Sequence, residues 1–168
     1  MGPTGSPLDR TWREEIRLKP HNLILIAVLV VLLDQFSKAM ALSFLDQGSP
    51  VAVLPGFNLL LGFNTGASFG LLSETMAARP QIMTAMGVAL TVPFAFMASR
   101  ASYRPEAAGA ALIVGGSAGN IVDRIRQGRV TDFLDLYWRD LHWPTFNVAD
   151  IAIAAGASLL LFSLLKRS

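Results

Sequence analysis

The stretch that decides the fold is HNLILIAVLVVLLDQFSKAMALSFL, residues 21–45, which is apolar along nearly its whole length. A helix that crosses a bilayer needs about 20 mostly apolar residues. This run reads as such a helix, interrupted by Asp34 and Lys38. Working outward from it, three further runs qualify. Residues 80–99 carry no charge, residues 107–122 follow, and residues 148–165 carry Asp150 near their start. Backbone groups must be satisfied inside lipid, so all four are read as helices. The third run spaces Ala107, Ala111, Gly115 and Gly119 four apart, a small-residue ridge against which another helix can close.

Composition agrees. The 168 residues are 52% hydrophobic and only 15% charged, where a soluble domain carries about 25% charged residues. The absence of cysteine excludes a disulfide scaffold, a thiolate zinc site and a cysteine nucleophile. Two histidines, His21 and His142, leave little for a histidine-based metal site. No cofactor, no metal and no nucleic-acid partner are expected.

Lys and Arg in short loops set orientation. Arg10, Arg13, Arg17 and Lys19 precede the first run, Arg100 and Arg104 link the second and third, and Lys166 and Arg167 follow the fourth. Four spans place these three regions on one side, the cytoplasm. Residues 1–20 read as a cytoplasmic tail rather than a cleavable signal peptide, because the apolar run is too long and no cleavage motif follows. Residues 21–168 read as one domain. The second outer loop breaks the charge rule, with eight charges between Asp123 and Asp140, and is where chemistry is sought. Residues 46–79 mix strand formers with Pro55, Gly56 and Gly62. They read as a small apolar β-sheet platform at the outer surface.

An ionisable residue inside a span is a functional hypothesis by default. Asp34 sits about 20 Å along the first helix, and Lys38 lies one turn further, where the two can pair. Asp150 opens the fourth span, where the helix dipole favours a carboxylate, although Asn147 already supplies an N-cap. Asp132 stands in the strand-like patch Val130-Thr131-Asp132-Phe133-Leu134, and a lone acid there is directed somewhere. Asp135 and Asp140 read as solvated charge, and Asp123-Arg124 as a local pair. The third span ends outward and the fourth starts outward, so Asp132 and Asp150 can meet. Two carboxylates sharing a site hold one proton between them. The ionised member activates water, and the protonated member donates to a carbonyl and then to a leaving amine. At this level Asp123 or Asp34 stands as an alternative for either member.

A rival motif is Gly66-Ala67-Ser68-Phe69-Gly70, which fits G-x-S-x-G with Ser68 as a serine-hydrolase nucleophile and His142 as its base. A third reading is a small channel or transporter whose acids conduct ions.

Five blocks in order resemble one family, lipoprotein signal peptidase (signal peptidase II). They are Asp34-Gln35-Phe36-Ser37-Lys38, then Phe63-Asn64-Thr65-Gly66-Ala67-Ser68-Phe69-Gly70, then Gly115-Gly116-Ser117-Ala118-Gly119-Asn120-Ile121-Val122-Asp123-Arg124. Gly128-Arg129-Val130-Thr131-Asp132-Phe133 and Phe146-Asn147-Val148-Ala149-Asp150 complete the set. The resemblance implies an all-α membrane protein of four transmembrane helices with a small periplasmic β-sheet platform, in the bacterial inner membrane. Both termini are then cytoplasmic and the site lies near the periplasmic face. It implies an aspartyl endopeptidase, sensitive to the cyclic peptide globomycin. The enzyme would cleave a prolipoprotein just before its diacylglyceryl-modified cysteine, with membrane lipids as its surroundings; a monomer is expected. The family's catalytic aspartates correspond to Asp132 and Asp150. Its supporting polar residues correspond to Asp34, Lys38, Asn64, Asn120, Asp123, Arg124 and Asn147. Ser68 replaces a frequent alanine, which accounts for the accidental hydrolase-like pattern.

Overall fold

A computed structural model describes residues 18–66 and 79–167 of the chain. In chain order they form α1 (Pro20–Phe44), β1 (Val51–Leu54), β2 (Phe57–Asn64), α2 (Pro80–Arg100), α3 (Arg104–Gln127), β3 (Val130–Trp138), β4 (Leu141–His142) and α4 (Val148–Arg167). The expected spans at 21–45, 80–99 and 148–165 coincide with α1, α2 and α4. Among the described residues these three helices are long and apolar enough to cross a membrane.

α3 differs from the expectation. It overruns residues 107–122 at both ends and is not among the three helices apolar enough to span. Its position supplies the reason. α3 packs against α1, α2 and α4, so most of its surface meets protein and small residues take the place of lipid-facing ones. It buries Ala107, Gly109, Ala110, Ala111, Ile113, Gly115, Gly116, Gly119, Asn120 and Asp123. α1 by contrast buries only the stripe Val30, Asp34, Lys38 and Ala41, while Leu25, Leu29, Leu32, Leu33 and Phe36 face outward. The small-residue ridge works as the spacing implies. A Cβ on Gly115 would lie 2.8 Å from the Ala27 carbonyl oxygen of α1. A second small face adjoins α4, where a Cβ on Gly109 would lie 2.8 Å from the Gly156 carbonyl oxygen.

Local chemistry sets the ends of α3. Glu106 stands in the first turn and Arg124 and Arg126 in the last, each complementing the helix dipole. Gly128 then takes the left-handed conformation, φ 74°, and its N–H bonds the Arg124 carbonyl at 3.0 Å. That stop turns the chain directly into β3.

The sheet is antiparallel in the order β1-β2-β3-β4. The platform expected over residues 46–79 therefore recruits half of its strands from the segment between α3 and α4. A two-stranded β1–β2 ribbon is marginal alone, and β3 supplies the third strand, pairing Gly62 with Asp132 and Asn64 with Val130. Beyond β4 the chain returns to β3, where Phe133 and Leu134 N–H both bond the Phe146 carbonyl, at 3.0 and 2.9 Å. Ala41, Leu61 and Phe133 form the buried joint between the sheet and the helix ends, with Leu45, Leu59 and Val148 around it.

Candidate active site

β3 and the start of α4 bring the two expected catalytic acids to one asparagine. The strand bridge at Phe146 sets Asn147 beside Asp132, and its Nδ2 donates to Asp132 Oδ1 at 2.6 Å. The same residue begins α4. Asn147 Oδ1 accepts from the Asp150 N–H at 3.1 Å, and Asp150 Oδ2 accepts from the Asn147 N–H at 3.1 Å. This is a reciprocal capping box with aspartate in place of the usual glutamate. Asp150 is thus both a first-turn acid and a member of the acidic pair. The capping role of Asp150 and its place beside Asp132, weighed as competitors in the sequence, are one arrangement.

α3 supplies Asn120, which joins the two sides. Its Nδ2 donates to Asp150 Oδ1 at 2.9 Å, and its Oδ1 accepts from Asn147 Nδ2 at 3.2 Å and Lys38 Nζ at 2.9 Å. An ammonium can only donate, so Lys38 fixes which way the Asn120 amide faces. Behind it, Lys38 pairs with Asp34 at 2.9 Å, the pairing expected at this spacing. Lys38 also pairs with Asp123 at 3.2 Å. Asp123 was expected to pair with Arg124; it turns instead to Lys38 and accepts the Thr131 N–H at 2.9 Å. Asp34 Oδ1 accepts the Ala149 N–H at 3.0 Å, one of the orphan donors at the start of α4. The acid in α1 therefore holds the helix that carries Asp150.

Asn64, at the end of β2, accepts the Gly66 N–H at 2.7 Å and also hydrogen-bonds Asp132. Arg124 feels the charges of Asp132, Asp150 and Asp123. Its Nε is buried without a partner among the described residues, a state uncommon for a buried donor. The nine expected site residues thus gather in one network. Ser68 lies outside the described residues. His142 meets Asp135 rather than either member of the pair.

Asp132 is 2% exposed, and burial pushes its carboxyl up to about 6. The Asp150 charge pushes the same way, while hydrogen bonds from Asn147 and Asn64 and the Lys38 charge oppose it. A carboxyl in that range exchanges protons near neutral pH, which general acid–base chemistry requires.

Two groups escaped the sequence reading. Gln35 Nε2 lies within reach of Asp34 Oδ2 (3.1 Å), Asp123 Oδ1 (2.9 Å) and the Gly119 carbonyl (3.2 Å), spanning the two buried acids. Its place beside Asp34 inside an apolar span was the available signal. Asp135, taken as solvated, is 1% exposed. It accepts from Asn58 Nδ2 at 3.0 Å and pairs with His142. Cross-strand pairing with Asn58 in β2 turned it inward, and nothing local to Asp135 announces that.

Comparison with known proteins gives the arrangement its context. The family model for signal peptidase (SPase) II matches residues 26–166. The lipoprotein signal peptidase of Polynucleobacter necessarius is 41% identical over 144 residues, 85% of this chain and 88% of the relative. That of Coxiella burnetii is 42% identical over 143 residues, 83% of this chain and 87% of the relative. A bacterial membrane enzyme solved by the in meso method at 2.3 Å resolution superposes with a TM-score of 0.77 at 27% identity, over 89% of this chain and 91% of that one. The chain belongs to the signal peptidase II family of aspartic membrane proteases.

Proposed function

We propose that this chain removes the signal peptide from diacylglyceryl-modified prolipoproteins, cutting just before the lipidated cysteine, with Asp132 and Asp150 as the acid–base pair. The observation that carries the assignment is Asn147, whose side chain bonds Asp132 while its cap interlocks with Asp150. Burial favours the neutral carboxyl on Asp132, so Asp132 brings the proton and Asp150 the carboxylate. Asp150 takes a proton from water as the oxygen attacks the scissile carbonyl, and Asp132 protonates the carbonyl oxygen. The proton held by Asp150 then passes to the departing amine, and Asp132 recovers its own as the carbonyl reforms. The unpartnered Nε of Arg124 is a ready donor for a substrate carbonyl.

All four helices cross the membrane in this reading, with α3 sheltered from lipid by the other three. Both termini are cytoplasmic, residues 1–20 form a tail, and residues 21–168 are one domain that works as a monomer. The site and sheet lie at the periplasmic face. The test incubates purified enzyme with a lipidated precursor, with and without globomycin. Asp132→Asn and Asp150→Asn are each expected to abolish cleavage while keeping a cooperative melt. Near-full activity in either variant would sink the assignment.

A further inference from the structure

A second polar cluster, which the acid pair does not use, closes the far end of β3. His142 Nδ1 lies 2.9 and 3.0 Å from the two oxygens of Asp135, whose other partner is Asn58. A carboxylate only accepts, so Nδ1 carries the hydrogen. In the protonated ring Nε2 carries a hydrogen too. The His142 side chain is 50% exposed. Among the described residues no hydrogen bond engages Nε2. Tyr137 stacks on the ring at 5.3 Å between centroids and fixes its plane. On the turn between the strands, Arg139 and Asp140 carry opposite charges.

Around this ring lies an open cup of about 520 Å³, walled by Gly56, Leu136, Trp138, Leu141 and Trp143. Trp138 and Leu141 are 76% exposed and Trp143 69%. Such a concentration of bare indole and leucine is costly in water. Tryptophan favours the headgroup level of a bilayer, where the ring body is apolar and its N–H is wet. The sheet is joined to the ends of helices that are long and apolar enough to span a membrane, so a bilayer surface lies within its reach.

We propose that the β3–β4 tip is a phospholipid site. His142 Nε2–H binds the phosphate of a headgroup, and the indoles of Trp138 and Trp143 pack against its glycerol and upper acyl chain. The buried Asp135–Asn58 pair holds the imidazole in place, as a carboxylate behind a histidine fixes its tautomer and orientation. The site lies six residues along β3 from Asp132, about 20 Å at strand rise, so it anchors the sheet without touching the acid pair.

The test uses full-length enzyme. Tryptophan occurs at positions 12, 138 and 143, so Trp12→Phe leaves the tip as the sole source of tryptophan emission. In micelles of an uncharged detergent, short-chain phosphatidylglycerol should produce a saturable blue shift. In vesicles, brominated lipid should quench the indoles while aqueous iodide does not. His142→Gln, its fold checked by circular dichroism, should weaken the titration roughly tenfold, the scale of one hydrogen bond to a charged group. Three results would overturn the proposal. One is iodide quenching in vesicles as strong as that of free indole, measured on the Trp12→Phe enzyme alone. The second is displacement of the lipid by equimolar inorganic phosphate. The third is a blue shift that follows protein concentration instead of lipid, the mark of a second copy covering the tip.

Discussion

Asp132 carries the clearest electrostatic load in the site. Burial raises its carboxyl from 3.8 to about 6, so between those pH values the folded protein holds a proton that the unfolded chain has released. By linkage, stability is then highest at the acid end and falls as pH rises through that window, by about 3 kcal/mol. Asp132→Asn removes this dependence. Chemical denaturation at pH 4 and pH 7 is expected to show wild type losing ground relative to the variant, and equal slopes would count against a raised carboxyl. Lys38 poses the opposite case. It is the shared cation of two buried acids, Asp34 and Asp123. Lys38→Met strands both and should cost about 3–5 kcal/mol, the usual penalty for unpairing buried charge. Adding Asp123→Asn should return part of that loss, and a double-mutant cycle measures the coupling.

At the level of elements, the proposed function has the start of α4 join stability to chemistry, and the two can be separated. Asn147→Ser keeps an N-cap, so melting should move by little. The serine cannot reach Asp132 or Asn120, and activity should drop roughly a hundredfold, the cost of a small misplacement of reacting groups. Parallel loss of stability and activity would mean the asparagine is only a cap. The elements also show how far the sequence could be read. α1, α2 and α4 are legible because lipid-facing helices must be apolar along their length. α3 is legible only through the spacing of Gly115 and Gly119, since a helix enclosed by others needs close approach rather than hydropathy. The meeting of Asp132, Asp150 and Asn147 is legible from their motifs. The inward turn of Asp135 is not, because it depends on Asn58, a partner 77 positions away, and on a strand register that local pattern does not encode. The division of the sheet between two loops was hidden for the same reason.

For the whole molecule, labelling reads how the chain is threaded. The absence of cysteine makes single-cysteine labelling clean. With four crossings, Ser49→Cys and Asp140→Cys should react with an impermeant maleimide from the periplasmic side, and Ser102→Cys only after the membrane is opened. If α3 did not cross, Ser102→Cys and Asp140→Cys would label from the same side. The bonds that assemble the site join distant parts of the chain: α1 reaches α4 through Asp34 and the Ala149 N–H, and α3 reaches α4 through Asn120 and Asp150. Synthesis delivers these partners in order, and the segment bearing Asp150 emerges last. Until α4 is in place, Asp132 lacks Asn147 and Asp150, and Asp34 and Asn120 lack their partners at its start. With Asp132 and Asp150 as the proposed acid–base pair, the nascent chain would be inert while it is still being inserted, and competence to cut peptide bonds would arrive together with completion of the fold.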